Sequence, residues 1–142
     1  MKFEMENKSV FAVIDTNVIV SALLSSEGDS KPAIVLRETL RGRITPIFNE
    51  EILDEYREVL LRDKFHFRKQ DVEMVINHVK RSGLRGERLN TLNEIFPDPK
   101  DVVFYEVAMS KEGAYLVTGN IKHFPKKAFV LTPAEMVAII SE

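Results

Sequence analysis

Short apolar runs that stop abruptly, with helical patterns between them, constrain this chain more than any other feature. Val10 to Ile14, Ile44 to Phe48 and Ala114 to Thr118 are such runs, and Phe129 to Leu131 is a shorter one. At this length they read as strands buried on both faces. Asn17 to Leu24 predicts a first helix, and the polar stretch Ser25 to Ser30, with Gly28, a loop. Ser30 offers an N-cap for a helix to about Arg41, stopped by Gly42. Asn49 caps the next, Glu50 to about Arg62. Val72, Val75, Ile76 and Val79 share one face of another helix. Pro97 to Asp101 opens a helix to about Lys111, ended by Gly113. Thr132, Pro133 and Glu135 have capping-box spacing. Gly83 to Asn93 carries no assignable pattern. Strands alternating with helices predict an α/β protein, a parallel sheet with helices on both faces. With no linker, repeat or low-complexity segment, one domain is expected over residues 1–142.

Composition narrows the chemistry. The chain has no cysteine, which excludes disulfides, thiolate metal sites and cysteine nucleophiles. A cytoplasmic location fits that. No apolar run reaches the roughly 18 residues of a membrane span, and acidic residues interrupt the opening MKFEMENKSV before any signal-like core can form. A net charge of −2 argues against coating nucleic acid by charge alone. Two basic stretches stand out: Lys80, Arg81, Arg85 and Arg88, then Lys122, Lys126 and Lys127. Each reads as a solvated face first and as an RNA contact second.

The acids carry the functional signal. Asp15 follows directly on a buried run, where a carboxylate is costly unless paired or bound to metal; a turn residue bonding the Thr16 and Asn17 backbone is the other reading. At 100° per residue, Ile52 and Val59 flank Glu55, so this acid points towards the apolar face of its helix, whereas Asp54 points away. A rim position paired with a lysine or arginine is the alternative. Asp98 can be an N-cap before Pro99, and Asp101 a first-turn acid favoured by the helix dipole. That explains both structurally, but a helix start also aims two carboxylates at one point. Asn120, in Thr118-Gly119-Asn120, reads first as a turn residue, and His123 in the same loop as packed or solvated. In parallel sheets functional residues gather beyond the carboxyl ends of the strands, where Asp15 and Asn120 fall.

Carboxylates converging from separate segments suit phosphodiester hydrolysis. Mg²⁺ or Mn²⁺ held by oxygen ligands activates water and neutralises phosphoryl charge. Such chemistry requires no cysteine, serine triad or histidine.

Four segments, taken in order, resemble the PIN domain family: Ile14-Asp15-Thr16-Asn17-Val18, the helix Glu50 to Leu60, Pro97-Asp98-Pro99-Lys100-Asp101, and Leu116-Val117-Thr118-Gly119-Asn120 with Lys122-His123-Phe124-Pro125. The resemblance runs from about Val10 to Ile140. It implies a three-layer α/β/α sandwich around a parallel sheet of about five strands. It also implies Mg²⁺- or Mn²⁺-dependent cleavage of RNA, leaving a 5′-phosphate and a 3′-hydroxyl. By position, Asp15, Glu55, Asp98 and Asp101 would be the catalytic and metal-holding residues, with Asp15 central. Asn17 would orient Asp15, and Thr118 would position a water or the phosphate. Many prokaryotic relatives are toxins neutralised by a small antitoxin protein, and relatives often dimerise. The chain departs from many members at Asn120, where they carry aspartate; an asparagine offers a carbonyl oxygen without charge.

Three other readings compete. A haloacid dehalogenase-type phosphatase also begins with an aspartate after its first strand, but needs a second aspartate two residues on, where this chain has Asn17. A catalytically weak or inactive PIN-fold module binding RNA or a protein partner is the stronger rival, because of Asn120. DNA as substrate is disfavoured, since the long insertions of related flap endonucleases are missing.

Overall fold

The first apolar run forms β1, Val10–Ile14, and ends where Asp15 begins a helical turn. Helix α1, Thr16–Leu24, follows at once, then α2, Lys31–Leu40, capped by the Ser30 hydroxyl accepting from the Ala33 N–H. Strand β2 spans Ile44–Phe48. Asn49 accepts from the Ile52 N–H to start α3, Glu50–Leu60. Helix α4, Lys69–Ser82, leads to β3, Leu84–Arg85. Helix α5, Val102–Met109, is followed by β4, Tyr115–Val117, β5, Val130–Leu131, and α6, Pro133–Ile140. These elements belong to a computed structural model that describes residues 9–26, 28–90 and 93–141. Most of the amino-terminal stretch read for a signal peptide, residues 1–8, lies outside the described residues. So do residues 91 and 92 of the unassigned stretch.

The described strands form one five-stranded sheet in the order β3-β2-β1-β4-β5, every neighbouring pair parallel. Helices α1, α2 and α6 pack as one group, while α3, α4 and α5 pack against one another or the central strands. This is the α/β sandwich that strand–helix alternation predicts. Parallel strands need crossovers, and helices in those crossovers cover both faces. The core is accordingly dry: Ala12, Val13, Ile44, Ile47, Leu116 and Val117 are fully buried.

Three local expectations change. The stretch after Gly83 contains an edge strand, because Leu84 and Arg85 extend beside Ile47 and Phe48. Both residues are exposed, so no apolar pattern could reveal them. The helix expected to open at Pro97–Asp101 begins instead with a tight 3₁₀ turn, Pro99–Asp101, before α5. Such turns are common at helix starts. Helix α5 also ends at Met109, earlier than expected, and Gly113 sits at a φ of 81° in the turn leading to β4.

Candidate active site

The order of the sheet reverses at β1. Strands β2 and β3 lie on one side of it, β4 and β5 on the other. Ligand crevices form outside the carboxyl ends of strands at such a switch point. Here the end of β1 carries Asp15 and the end of β4 carries Thr118. The Asp15 backbone N–H donates to the Val117 carbonyl at 2.9 Å, locking the two ends together. A cleft of about 330 Å³ opens there, walled by Asp15, Glu55, Asp98, Asp101, Asn120 and His123. Asn17 also lines it.

Each acid is held by a different local device. Asp15 is 5% exposed. Its Oδ2 accepts from the Thr118 hydroxyl at 2.7 Å and from the Asn17 amide at 3.2 Å. Asn17 in turn accepts the Gly119 N–H at 3.0 Å through its own carbonyl oxygen. Glu55 reaches the cleft from α3, where Ile52 and Tyr56 beside it are fully buried and Glu51, Asp54 and Glu58 are exposed. The Thr16 hydroxyl donates to Glu55 Oε2 at 2.8 Å. Asp98 caps its 3₁₀ turn by accepting from the Lys100 N–H at 2.9 Å. Asp101 Oδ2 lies 3.2 Å from His123 Nδ1. Beneath the site the Tyr56 hydroxyl donates to the Ile14 carbonyl at 2.5 Å, fixing the residue before Asp15.

Burial dominates the electrostatics. It pushes the Asp15 carboxyl up to about 6, opposed by the Thr118 hydrogen bond and reinforced by the charges of Asp101 and Glu55. Asp101 is also raised, first by burial and then by Asp98, with His123 opposing. The Tyr56 phenol is held protonated by burial and by the same two acids, Asp15 and Glu55.

The cleft thus brings together the four acids singled out in the sequence. It does not gather them into a ready chelate: among the described residues no three histidine, aspartate or glutamate side chains stand close enough to hold a metal ion. The separate tethers explain this, since Thr118, Thr16, the Lys100 N–H and His123 each fix one carboxylate. The donor chemistry nonetheless fits a hard divalent cation, which takes oxygen ligands. A buried carboxylate facing two others is also what a cation would relieve. Thr118 is fully buried, and its hydroxyl donates to Asp15. Asn120 is exposed on the wall, its N–H bonded to Thr118 Oγ1 at 3.0 Å. Two further residues hold the acids beyond the expected set, Thr16 and His123. Thr16 offered only its adjacency to Asp15 as a clue. His123, read first as a packed or solvated loop residue, lines the cleft beside Asp101.

A parallel sheet with a carboxylate-walled cleft at its switch point defines a class, the α/β proteins whose chemistry sits at that crevice. The sequence model of the PIN domain matches residues 12–122, and the chain belongs to the PIN domain family. PIN domains are in general nucleases acting on RNA, and usually bind divalent metals, so the fold is of nuclease type. No curated protein matches the chain. Among the described residues no helix is long and apolar enough to cross a membrane.

Proposed function

We propose that this chain is a metal-dependent endoribonuclease, one domain over residues 1–142, that hydrolyses RNA phosphodiester bonds with Asp15, Glu55, Asp98 and Asp101. The observation that carries the reading is their convergence, from four separate segments, on one cleft at the sheet's switch point. Bound there, Mg²⁺ or Mn²⁺ would supply a water of lowered pKa and neutralise charge on the phosphoryl oxygens. The chain's own work is positioning. Thr118 and Asn17 fix Oδ2 of Asp15, Thr16 fixes Glu55, and His123 steadies Asp101. Asn120 adds an uncharged oxygen donor at the wall. Attack of water on phosphorus, with the bond to O3′ breaking, leaves a 5′-phosphate and a 3′-hydroxyl.

The test is direct. Wild type and Asp15→Asn are incubated with Mn²⁺ and a range of single-stranded and structured RNAs. Wild type cleaves; the variant, folded by circular dichroism, does not. Absence of cleavage above the variant's background would sink the nuclease reading.

The family resemblance extends the proposal to the toxin of a toxin–antitoxin pair, acting in the cytoplasm with a small antitoxin as partner. Growth arrest on expression, relieved by Asp15→Asn, tests that part. A non-cutting module that binds RNA or a protein is favoured by the uncharged Asn120 and by the tethered, dispersed acids. The cleavage assay separates the two readings.

A further inference from the structure

The 3₁₀ turn Ile121–His123 has two sides. Asn120 and His123 face the acidic cleft, whereas Ile121, Lys122 and Phe124 line a second hollow of about 280 Å³ with Pro125, Lys126 and Val130. Its floor is apolar: Phe124 and Val130 are buried there, and Ile121 is 41% exposed at the edge. Its rim is cationic. Lys122, Lys126 and Lys127 are all exposed. Lys127 is paired with Glu94 at 3.7 Å, but among the described residues neither Lys122 nor Lys126 has an ion-pair partner. In the other basic stretch Arg85 is paired with Glu50 and Arg88 with Glu51 and Glu106, while among the described residues Lys80 and Arg81 have no ion-pair partner either, but no apolar hollow is lined by them. What sets this stretch apart is that its two unpaired lysines, Lys122 and Lys126, line a hollow with an apolar floor.

We infer that the hollow formed by Ile121, Phe124, Pro125 and Val130 receives one nucleobase of a single-stranded RNA whose neighbouring phosphate lies in the acidic cleft, while Lys122 and Lys126 hold the flanking phosphates. This rests on the nuclease reading and names a substrate subsite for it. An apolar floor cannot take a phosphate, since burying an unpaired charge is costly. It can take the face of a base, and stacking on an apolar or aromatic surface tolerates any sequence. Lysines at the mouth suit the polyanion that must accompany that base. The turn supplies the geometry, because its residues 120 and 123 line the cleft while 121, 122 and 124 line the hollow. A strand crossing the turn meets a hollow for a base on one side and the acids on the other. It also answers how a chain of net charge −2 holds RNA near its own carboxylates: it does so through lysines set to one side of them.

The experiment uses fluorescein-labelled single-stranded RNA of mixed sequence, with one abasic site moved stepwise along it. Binding is read by anisotropy in Mn²⁺ with Asp15→Asn protein, so that no cleavage intervenes, and cleavage is followed with the otherwise wild-type chain. One abasic position near the cut should weaken binding about tenfold. Ile121→Ser should weaken intact RNA by a similar factor and abolish sensitivity to that abasic position. Lys122→Ala with Lys126→Ala should lower the slope of log affinity against log salt by about 0.7 for each lysine. All three positions are exposed, so the variants should fold. Equal abasic sensitivity of Asp15→Asn protein with and without Ile121→Ser, or an unchanged salt slope, would overturn the inference and leave the hollow to an apolar side chain of a protein partner. If the subsite fails while the wild type still cuts RNA, only the subsite is lost; if the wild type never cuts, the nuclease reading itself is lost.

Discussion

The Thr118 hydroxyl donates to Oδ2 of Asp15 at 2.7 Å, joining the ends of two parallel strands 103 residues apart in sequence. The bond sits at the point where the sheet order reverses. It stabilises the ionised form of an acid that burial otherwise drives towards neutrality. Thr118→Val keeps the side-chain volume and removes the donor. The acidic limb of the kcat/KM profile should then move to higher pH, and stability should fall by about 1–3 kcal/mol. Thr118→Ser should restore both. An unshifted pH profile would mean that the hydroxyl does not tune Asp15.

Asp15 should make the metal-free protein less stable as pH rises. Its folded-state value is raised from 3.8 to about 6, so the folded chain holds that proton more tightly than the unfolded chain. The stability attached to this group is complete below about pH 4 and is lost as pH climbs through 6. A shift of about two units corresponds to about 3 kcal/mol at most. Asparagine removes the titration and still accepts from Thr118 and Asn17. Metal-free Asp15→Asn should therefore melt roughly 5 °C or more above wild type at pH 8, with the gap closing near pH 4. A variant that melts lower at both pH values would contradict this.

Mn²⁺ should reverse that order. Binding to the folded state alone stabilises it by mass action. Wild type should gain melting temperature with Mn²⁺ at pH 8, and Asp15→Asn should gain little. Asn120→Asp, which adds a charge on the cleft wall, should lower the Mn²⁺ concentration giving half-maximal cleavage. Titration of cleavage rate against Mn²⁺ measures it; a requirement for more Mn²⁺ in the variant would refute the role assigned to this wall.

Glu106 lies on α5 among buried neighbours and is itself only 7% exposed. Its Oε1 accepts from Arg88 at 2.6 Å, tying the loop after β3 to the central helix. Glu106→Ala should cost about 2 kcal/mol, less than a fully buried pair because Arg88 is 41% exposed. Urea unfolding midpoints with an unchanged slope would record it.

Thr132 and Glu135 form a complete capping box at the start of α6, with bonds of 2.8 and 3.2 Å. Thr132→Ala should cost about 1 kcal/mol and leave RNA cleavage untouched. Loss of activity without loss of stability would show a coupling that the fold does not suggest.

Local physics made much of this protein legible in its residues. Apolar runs set β1, β2 and β4, because strands covered on both faces need continuous apolar side chains. Caps at Ser30, Asn49 and Thr132 set three helix starts, since a side-chain oxygen must meet an orphan N–H there. The period of α3 turned Glu55 towards the interior, and turn residues placed Asp98 and Asp101 at a helix entrance. Strand β3 was hidden because exposed edge residues carry no apolar signature. Two contacts that hold the acids are local, Asn17 on Asp15 and the Lys100 N–H on Asp98, but tertiary structure alone decided the others. Thr118 meets Asp15, Thr16 meets Glu55 and His123 meets Asp101 only after folding has brought their separate segments to one end of the sheet. The same packing kept the carboxylates apart on separate tethers and put Glu106 under Arg88. Hydrogen bonds between segments a hundred residues apart depend on strand order, and no spacing along the chain encodes that order.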